Sequence, residues 1–260
     1  MKNYLQVYKK FFETSLAEAS SFRTSFFLIM LMDLIFYFTS LSSVSFIYDH
    51  VSTIGPWNKQ QLLFFITFML AMDHLHMTIV SENFWELSVK IRTGTLDFDI
   101  LRPLSSLFSV FFRYVRTSSM FNTPFVWGML IYFGYQVKLN FYQWILVPPF
   151  IILGFVLFVM IEMCISVAAF WTIEGWGINF LRMQFQHLAR WPHFIYSYFP
   201  RKILTILLPV LLVGSGPVSF IYNLNEYQLL LGLIGHIFVF AILLRFLWSL
   251  GLRKYDSPSS

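Results

Sequence analysis

The chain holds a single cysteine, Cys164, in 260 residues. That excludes an intrachain disulfide and any cysteine metal cluster. Charge is scarce too. Asp, Glu, Lys and Arg make up 12% of the sequence, against about 25% in soluble domains. No G-x-x-x-x-G-K-S/T loop is present to cradle a nucleotide's phosphates, no H-E-x-x-H helix to hold zinc, and no G-x-S-x-G elbow to present a nucleophile. Internal repeats and low-complexity tracts are also absent. The familiar routes to hydrolytic or nucleotide chemistry within this chain are thereby closed.

What is present is apolar. Hydrophobic residues are 57% of the sequence and the mean hydropathy is +0.66. Such a chain exceeds what one soluble core can hide, so it reads as an all-α polytopic membrane protein whose first partner is the lipid bilayer. The isoelectric point near 9.3 does not argue for nucleic acid, because basic residues in a membrane protein first report topology.

Residues 1–23 form the first unit. Tyr4, Val7, Tyr8, Phe11, Phe12 and Leu16 recur at helical spacing among lysines and glutamates, which predicts an amphipathic helix lying on the membrane. A transmembrane unit, 24–250, follows with about six spans: 24–48, 60–81, 106–135, 144–171, 203–222 and 227–250. Each is long enough for a hydrocarbon core of about 30 Å. The fifth differs from the rest. Pro209, Gly214, Gly216 and Pro217 interrupt it, so a half-length helix with a re-entrant piece is expected there. Residues 251–260 are a polar tail. Trp57, Trp144, Trp171 and Tyr222, near span ends, read as interfacial anchors.

Two polar segments separate the spans, 83–105 and 174–202. With the N-terminus placed inside, nearly all Lys and Arg fall on the inner side, including Arg182, Arg190, Arg201 and Lys202, and only Lys59 and Lys138 lie outside. This asymmetry predicts both termini and both polar segments in the cytoplasm.

The segment 83–105 is the densest in charge. Phe84, Leu87, Val89 and Ile91, with Glu86 and Lys90 four apart, describe a short amphipathic helix. Gly94 supplies the positive φ that ends it. Leu96 and Asp97 follow, and Pro103, preceded by Arg102, opens the next element. A helix–Gly–turn–Pro unit between two spans suits docking of a soluble partner; an ordinary solvated loop is the plainer reading.

Three acids stand inside apolar sequence: Asp33, Asp73 and Glu162. A charge at mid-bilayer costs about 2.5–3.5 kcal/mol on insertion scales, so each must face protein or water. Pairing across helices with His76, Gln, Ser or Thr would make them structural. Asp73 and His76 share a helix face, while His74 points about 100° away, a poor arrangement for chelating a metal. No metal site is expected.

A resemblance joins these parts. Ile91-Arg92-Thr93-Gly94-Thr95-Leu96-Asp97, continuing to Leu101-Arg102-Pro103-Leu104, resembles the cytoplasmic loop of a family of ABC-type transporter permeases of the type 2 export class. Trp248-Ser249-Leu250-Gly251-Leu252-Arg253-Lys254-Tyr255 matches the same family, as does Ala189-Arg190-Trp191-Pro192 leading to Ile203-Leu204 and Pro209. The family usually has Tyr where this chain has Trp191. The resemblance implies a six-span permease of an ATP-driven exporter, in a bacterial cytoplasmic membrane, paired with a second permease and an ABC-type ATPase dimer that carries the ATP and Mg. This chain would bind no cofactor itself, and Asp33, Asp73 and His76, on the first and second spans, would be candidates for the translocation path. Glu86, Lys90, Ile91, Arg92, Gly94, Leu96, Asp97, Arg102 and Pro103 would then form the coupling helix and its turn, on which the ATPase docks. The residues leave two other readings open: an ATP-independent carrier or channel using Asp33, Asp73 and His76 as a proton relay, and an intramembrane enzyme built on Asp73 and His76.

Overall fold

The computed structural model describes residues 4–172 and 175–256. The amphipathic helix α1 (Tyr4–Ser21) leads almost directly into α2 (Arg23–Tyr48), the first span. The Gly55-Pro56 turn, where Ile54 and Trp57 pair backbone to backbone, then reverses the chain. Asn58 opens α3 (Lys59–Ile79) through a capping box: its side chain accepts from the Gln61 amide, and the Gln61 side chain returns to the Asn58 amide. Two otherwise orphaned donors are thus satisfied at the helix start.

α3 is the central helix. Of its apolar window 83% is buried inside the protein, against 17% for α2 and 22% for the last helix. The outer helices leave their apolar faces to lipid or to other chains, as residues in a bilayer can.

After α3 come α4 (Ser81–Thr93) and the one-turn α5 (Leu96–Ile100). The expected span 106–135 is not one helix. It is broken into α6 (Ser106–Phe111), α7 (Thr117–Met120) and α8 (Thr123–Gln136). The physical reason is local polarity. Arg116, Ser119 and Asn122 spend hydrogen bonds on other helices: the Arg116 amide reaches Thr78 O at 2.9 Å, the Ser119 hydroxyl reaches Asp33, and the Asn122 side chain reaches Met30 O at 3.1 Å. α9 (Phe141–Ser166), capped by Asn140 and Gln143 in the same reciprocal way, continues after a turn into α10 (Ala169–Thr172).

The next segment corrects an expectation. Residues 174–202 do not stay beside the polar loop. Gly175 lies against Ser88 of α4, close enough that a Cβ there would strike the Ser88 hydroxyl. From that end α11 (Trp176–Ala189) climbs along α9 and α3, and the short helical turn His193–Ile195 puts Phe194 edge-on against Trp57, 4.8 Å between ring centres. Trp57 sits just before the start of α3, at the opposite end of the bundle. The segment therefore runs from end to end, and Glu174 lies outside the described residues.

The stretch 203–222, expected as a fifth span made of a half-length helix and a re-entrant piece, is sharply bent. α12 (Tyr198–Lys202) and a π-helical turn, Ile203–Leu207, meet α13 (Leu212–Tyr222) at an angle of 101°. Leu208 is held extended (φ −122, ψ 80), as the residue before a proline must be, and Pro209 makes the break. α13 returns to the Trp57 end, where the Tyr222 hydroxyl donates to Gln61 O at 2.8 Å. The pair is a bent hairpin whose second arm ends on that side. Its close packing needs a bare backbone: a Cβ on Gly154 of α9 would lie 2.6 Å from the Val213 carbonyl.

α14 (Tyr227–Lys254) brings the chain back, and Trp248 donates to Ser106 Oγ at 2.9 Å. α1 meets the same region, with Phe11 stacked on Phe108 and the Val115 amide donating to Ser15 Oγ at 3.2 Å. Both ends of the described chain thus lie at the end that carries α4 and α5, called the loop end below. Among the described residues four helices, α2, α3, α9 and α14, are long and apolar enough to cross a membrane, five if the bent pair α12–α13 is counted as one span; α8 and α11, of 14 residues each, pack beside them. Trp57, Phe194 and Tyr222 form an aromatic cluster at the far end, where Trp57 is 6% exposed and so packs rather than anchors at an interface.

Candidate functional site: the polar loop and the ion pairs beneath it

α4 is amphipathic in three dimensions. Phe84, Leu87 and Ile91 are buried, while Trp85, Val89 and Arg92 face outward. Gly94 ends the helix with φ 74, a left-handed conformation that costs a side chain about 1–2 kcal/mol. The chain then folds back so that Leu96, fully buried, pins α5 under α4.

Charges inside the loop fasten it. Lys90 Nζ donates to Asp99 at 2.7 Å, both side chains being less than a tenth exposed, and Arg102 reaches the other Asp99 oxygen at 3.1 Å. Lys90 and Arg102, expected among the docking contacts, therefore act first within the loop. Asp99, not singled out from the sequence, is the centre of this clamp. Asp97 sits half-buried in the first turn of α5, and Pro103 is exposed. Glu86 is half-buried and, with Trp85, Ser88, Arg92, Trp176 and Asn179, lines a cleft of about 170 Å³ between α4 and the start of α11. Around Arg92 the loop presents Trp85, Phe98, Ile100 and Leu101 to solvent; Leu101 is 81% exposed.

Beneath α4 lies a buried polar hub. Glu162 of α9 is fully buried and binds His76 of α3, Arg182 Nη1 at 3.0 Å and the Gln186 side chain at 2.6 Å. Phe84 of α4 closes the hub from the loop side: the Arg182 guanidinium lies 4.5 Å from its ring centre, and His76 stacks on it. Three elements, α3, α9 and α11, are thus joined through one carboxylate, and α4 packs on two of its partners through Phe84.

The other two acids have separate partners. Asp33 accepts from Arg116 Nη2 at 3.1 Å and from Ser119 Oγ at 2.7 Å. Asp73 accepts from Arg190 Nε at 3.0 Å, and that guanidinium lies over Phe36. His74 contacts the Tyr37 hydroxyl and Thr123 Oγ1. Asp33, Asp73 and His76 are therefore not one constellation, since each ends in its own ion pair. Among the described residues no group of three His, Cys, Asp or Glu side chains is placed to hold a metal.

Arg182 and Arg190 take the role that sequence reasoning missed. A signal was present: Arg182, Gln186 and Arg190 follow one another at four-residue steps, one face of a helix, and that face meets Glu162 and Asp73. Asp99, Arg116 and Trp176 have no comparable sequence signal.

An all-α bundle whose long apolar helices shield paired charges, with a polar loop at one end, has the build of a polytopic membrane protein. The profile of the ABC-2 family of transporter proteins matches residues 34–259, and the chain belongs to that family. No curated protein and no solved structure matches the chain. It is a multi-pass membrane protein and the permease component of an ABC transporter.

Proposed function

We propose that this chain is the permease subunit of an ATP-driven exporter, working with a second permease and with a separate ATPase dimer that binds ATP and Mg. The observation that carries the reading is the loop 84–104. It presents Trp85, Arg92, Phe98, Ile100 and Leu101 outward, and it is fastened to the bundle through Phe84 and the Glu162 hub. A soluble ATPase docking there would bear on a stiff lever rather than on a slack connection. In this reading the loop end, with both termini, faces the cytoplasm of a bacterial inner membrane, where ATP is available.

Docking can move the permease only through contacts that differ between its two states. Motion of α4 reaches α11 through Phe84 and Arg182, and α3 through Phe84 and His76. α11 in turn carries Arg190, held by Asp73 of α3. Tilting α4 would thus shift α11 against α3 and α9, the helices flanking the buried acids. The proton-relay reading gains nothing from Asp33, Asp73 and His76, whose partners are separate.

The test is co-purification. The tagged wild-type chain should bring down a nucleotide-binding subunit, and Leu101→Glu should lose it while reaching normal membrane levels. Normal transport without any associated ATPase would sink the proposal.

A further inference from the structure

The far half of the bundle holds a cleft of about 210 Å³ between α2, α3 and α11, lined by Ser40, Ser43, His187, Arg190, Trp191 and Met69 among others. We propose that this cleft binds a neutral, hydroxyl-rich group, a glycosyl unit, as a contact point for cargo in the permease path. The inference rests on the permease reading and names the substrate class that the path favours.

The donor and acceptor inventory carries it. Ser40 Oγ donates to Phe36 O at 2.8 Å and Ser43 Oγ to Thr39 O at 2.7 Å. Their protons are spent, so both oxygens offer lone pairs. His187 Nδ1 faces Arg190 Nη1 at 3.2 Å. Arginine only donates, so Nδ1 accepts and the imidazole proton sits on Nε2, making that nitrogen a donor. Arg190 adds its remaining N–H groups.

Charge narrows the class. Arg190 is already neutralised by Asp73, so the cleft offers an anion no uncompensated charge. None of the residues lining the cleft is acidic, so a cation finds no partner. A sugar hydroxyl both donates and accepts, matching serine oxygens on one wall and Arg and His donors on the other. Trp191 and Met69 offer apolar surface to the C–H faces of such a ring. Ser43 stands five residues before the far end of α2, about 7.5 Å along the helix, a depth that a headgroup from that leaflet reaches.

The test needs neither ATPase nor nucleotide, so its failure leaves the docking proposal untouched, and the reverse. Purified chain is placed in phosphatidylcholine nanodiscs containing equal small fractions of glucosyl-diacylglycerol and phosphatidylglycerol, and retained lipid is counted by native mass spectrometry. Wild type should retain the glucosyl lipid preferentially. Ser43→Val combined with His187→Leu should reduce that retention about tenfold, as expected for two lost hydrogen bonds, with the Asp73–Arg190 pair left in place. Ser40→Val alone should reduce it less and serves if the double variant does not fold. Soluble maltose separates the sources: displacement supports a site that also takes free glycan, and no displacement supports a lipid-borne glycosyl group. Preference for phosphatidylglycerol, or equal retention by wild type and every folded variant, overturns the proposal.

Discussion

Arg182 lies across the face of Phe84, 4.5 Å from the ring centre, while its Nη1 binds Glu162 at 3.0 Å. One guanidinium thus touches both the loop helix and the centre of the bundle. Removing it should be costly for a reason that can be separated experimentally. Arg182→Met leaves a buried carboxylate short of a charge partner, and breaking such a pair costs about 3–5 kcal/mol. Glu162→Gln with Arg182→Met removes both charges and should recover a good part of that loss. Denaturation in detergent reads both; losses that simply add would show the pair to be uncoupled.

Gly94→Val should act on the loop without touching charge. Its φ of 74 is strongly disfavoured for a β-branched residue, so the turn between α4 and α5 distorts. The variant should keep the ATPase bound yet uncouple hydrolysis from transport, as measured in proteoliposomes. Wild-type transport at normal membrane levels would demote the loop to a connector.

Arg92→Glu and Lys90→Met should differ in kind. Arg92 is exposed, and reversing it should weaken ATPase docking, most of all at low salt where charges are least screened. Lys90 is buried against Asp99, and its loss leaves that carboxylate with Arg102 alone. Lys90→Met should therefore loosen the loop itself, giving faster amide exchange in α5 at any salt concentration. A salt-independent docking defect in Arg92→Glu would contradict this division.

The path of residues 174–202 can be tested by labelling. In a background with Cys164 replaced, Ser197→Cys should react with an impermeant maleimide from the same side as Thr53→Cys, and Thr93→Cys from the other. Reaction of positions 197 and 93 from one side would restore the reading in which this segment stays beside the loop.

Much of this was legible because it follows from short-range chemistry. The amphipathic first helix, the Gly94 turn and the half-length helix interrupted at Pro209 are set by residues within a turn or two of each other. The packing of α11 into the bundle was not legible. Arg182 and Arg190 depress the hydropathy of a helix only 14 residues long, and their compensation by Glu162 and Asp73 comes from distant parts of the chain. The third crossing was misjudged for a related reason. Its apolar residues suggest one helix, yet Arg116 and Ser119 are drawn off to Asp33. The separation of Asp73 from His76 was equally hidden, because sharing a helix face says nothing about which neighbours each side chain meets.

The partners of α11 also impose an order on synthesis. Asp73 and Glu162 precede Arg190 and Arg182 in the chain, so α3 and α9 leave the ribosome before α11 does. A helix with two arginines enters lipid poorly on its own. Here it meets carboxylates already lodged in the bilayer, and each guanidinium can be neutralised as it arrives. Moving the α11 segment ahead of α3 in a permuted gene would leave it stranded at the surface, although every contact of the finished bundle would be available in principle.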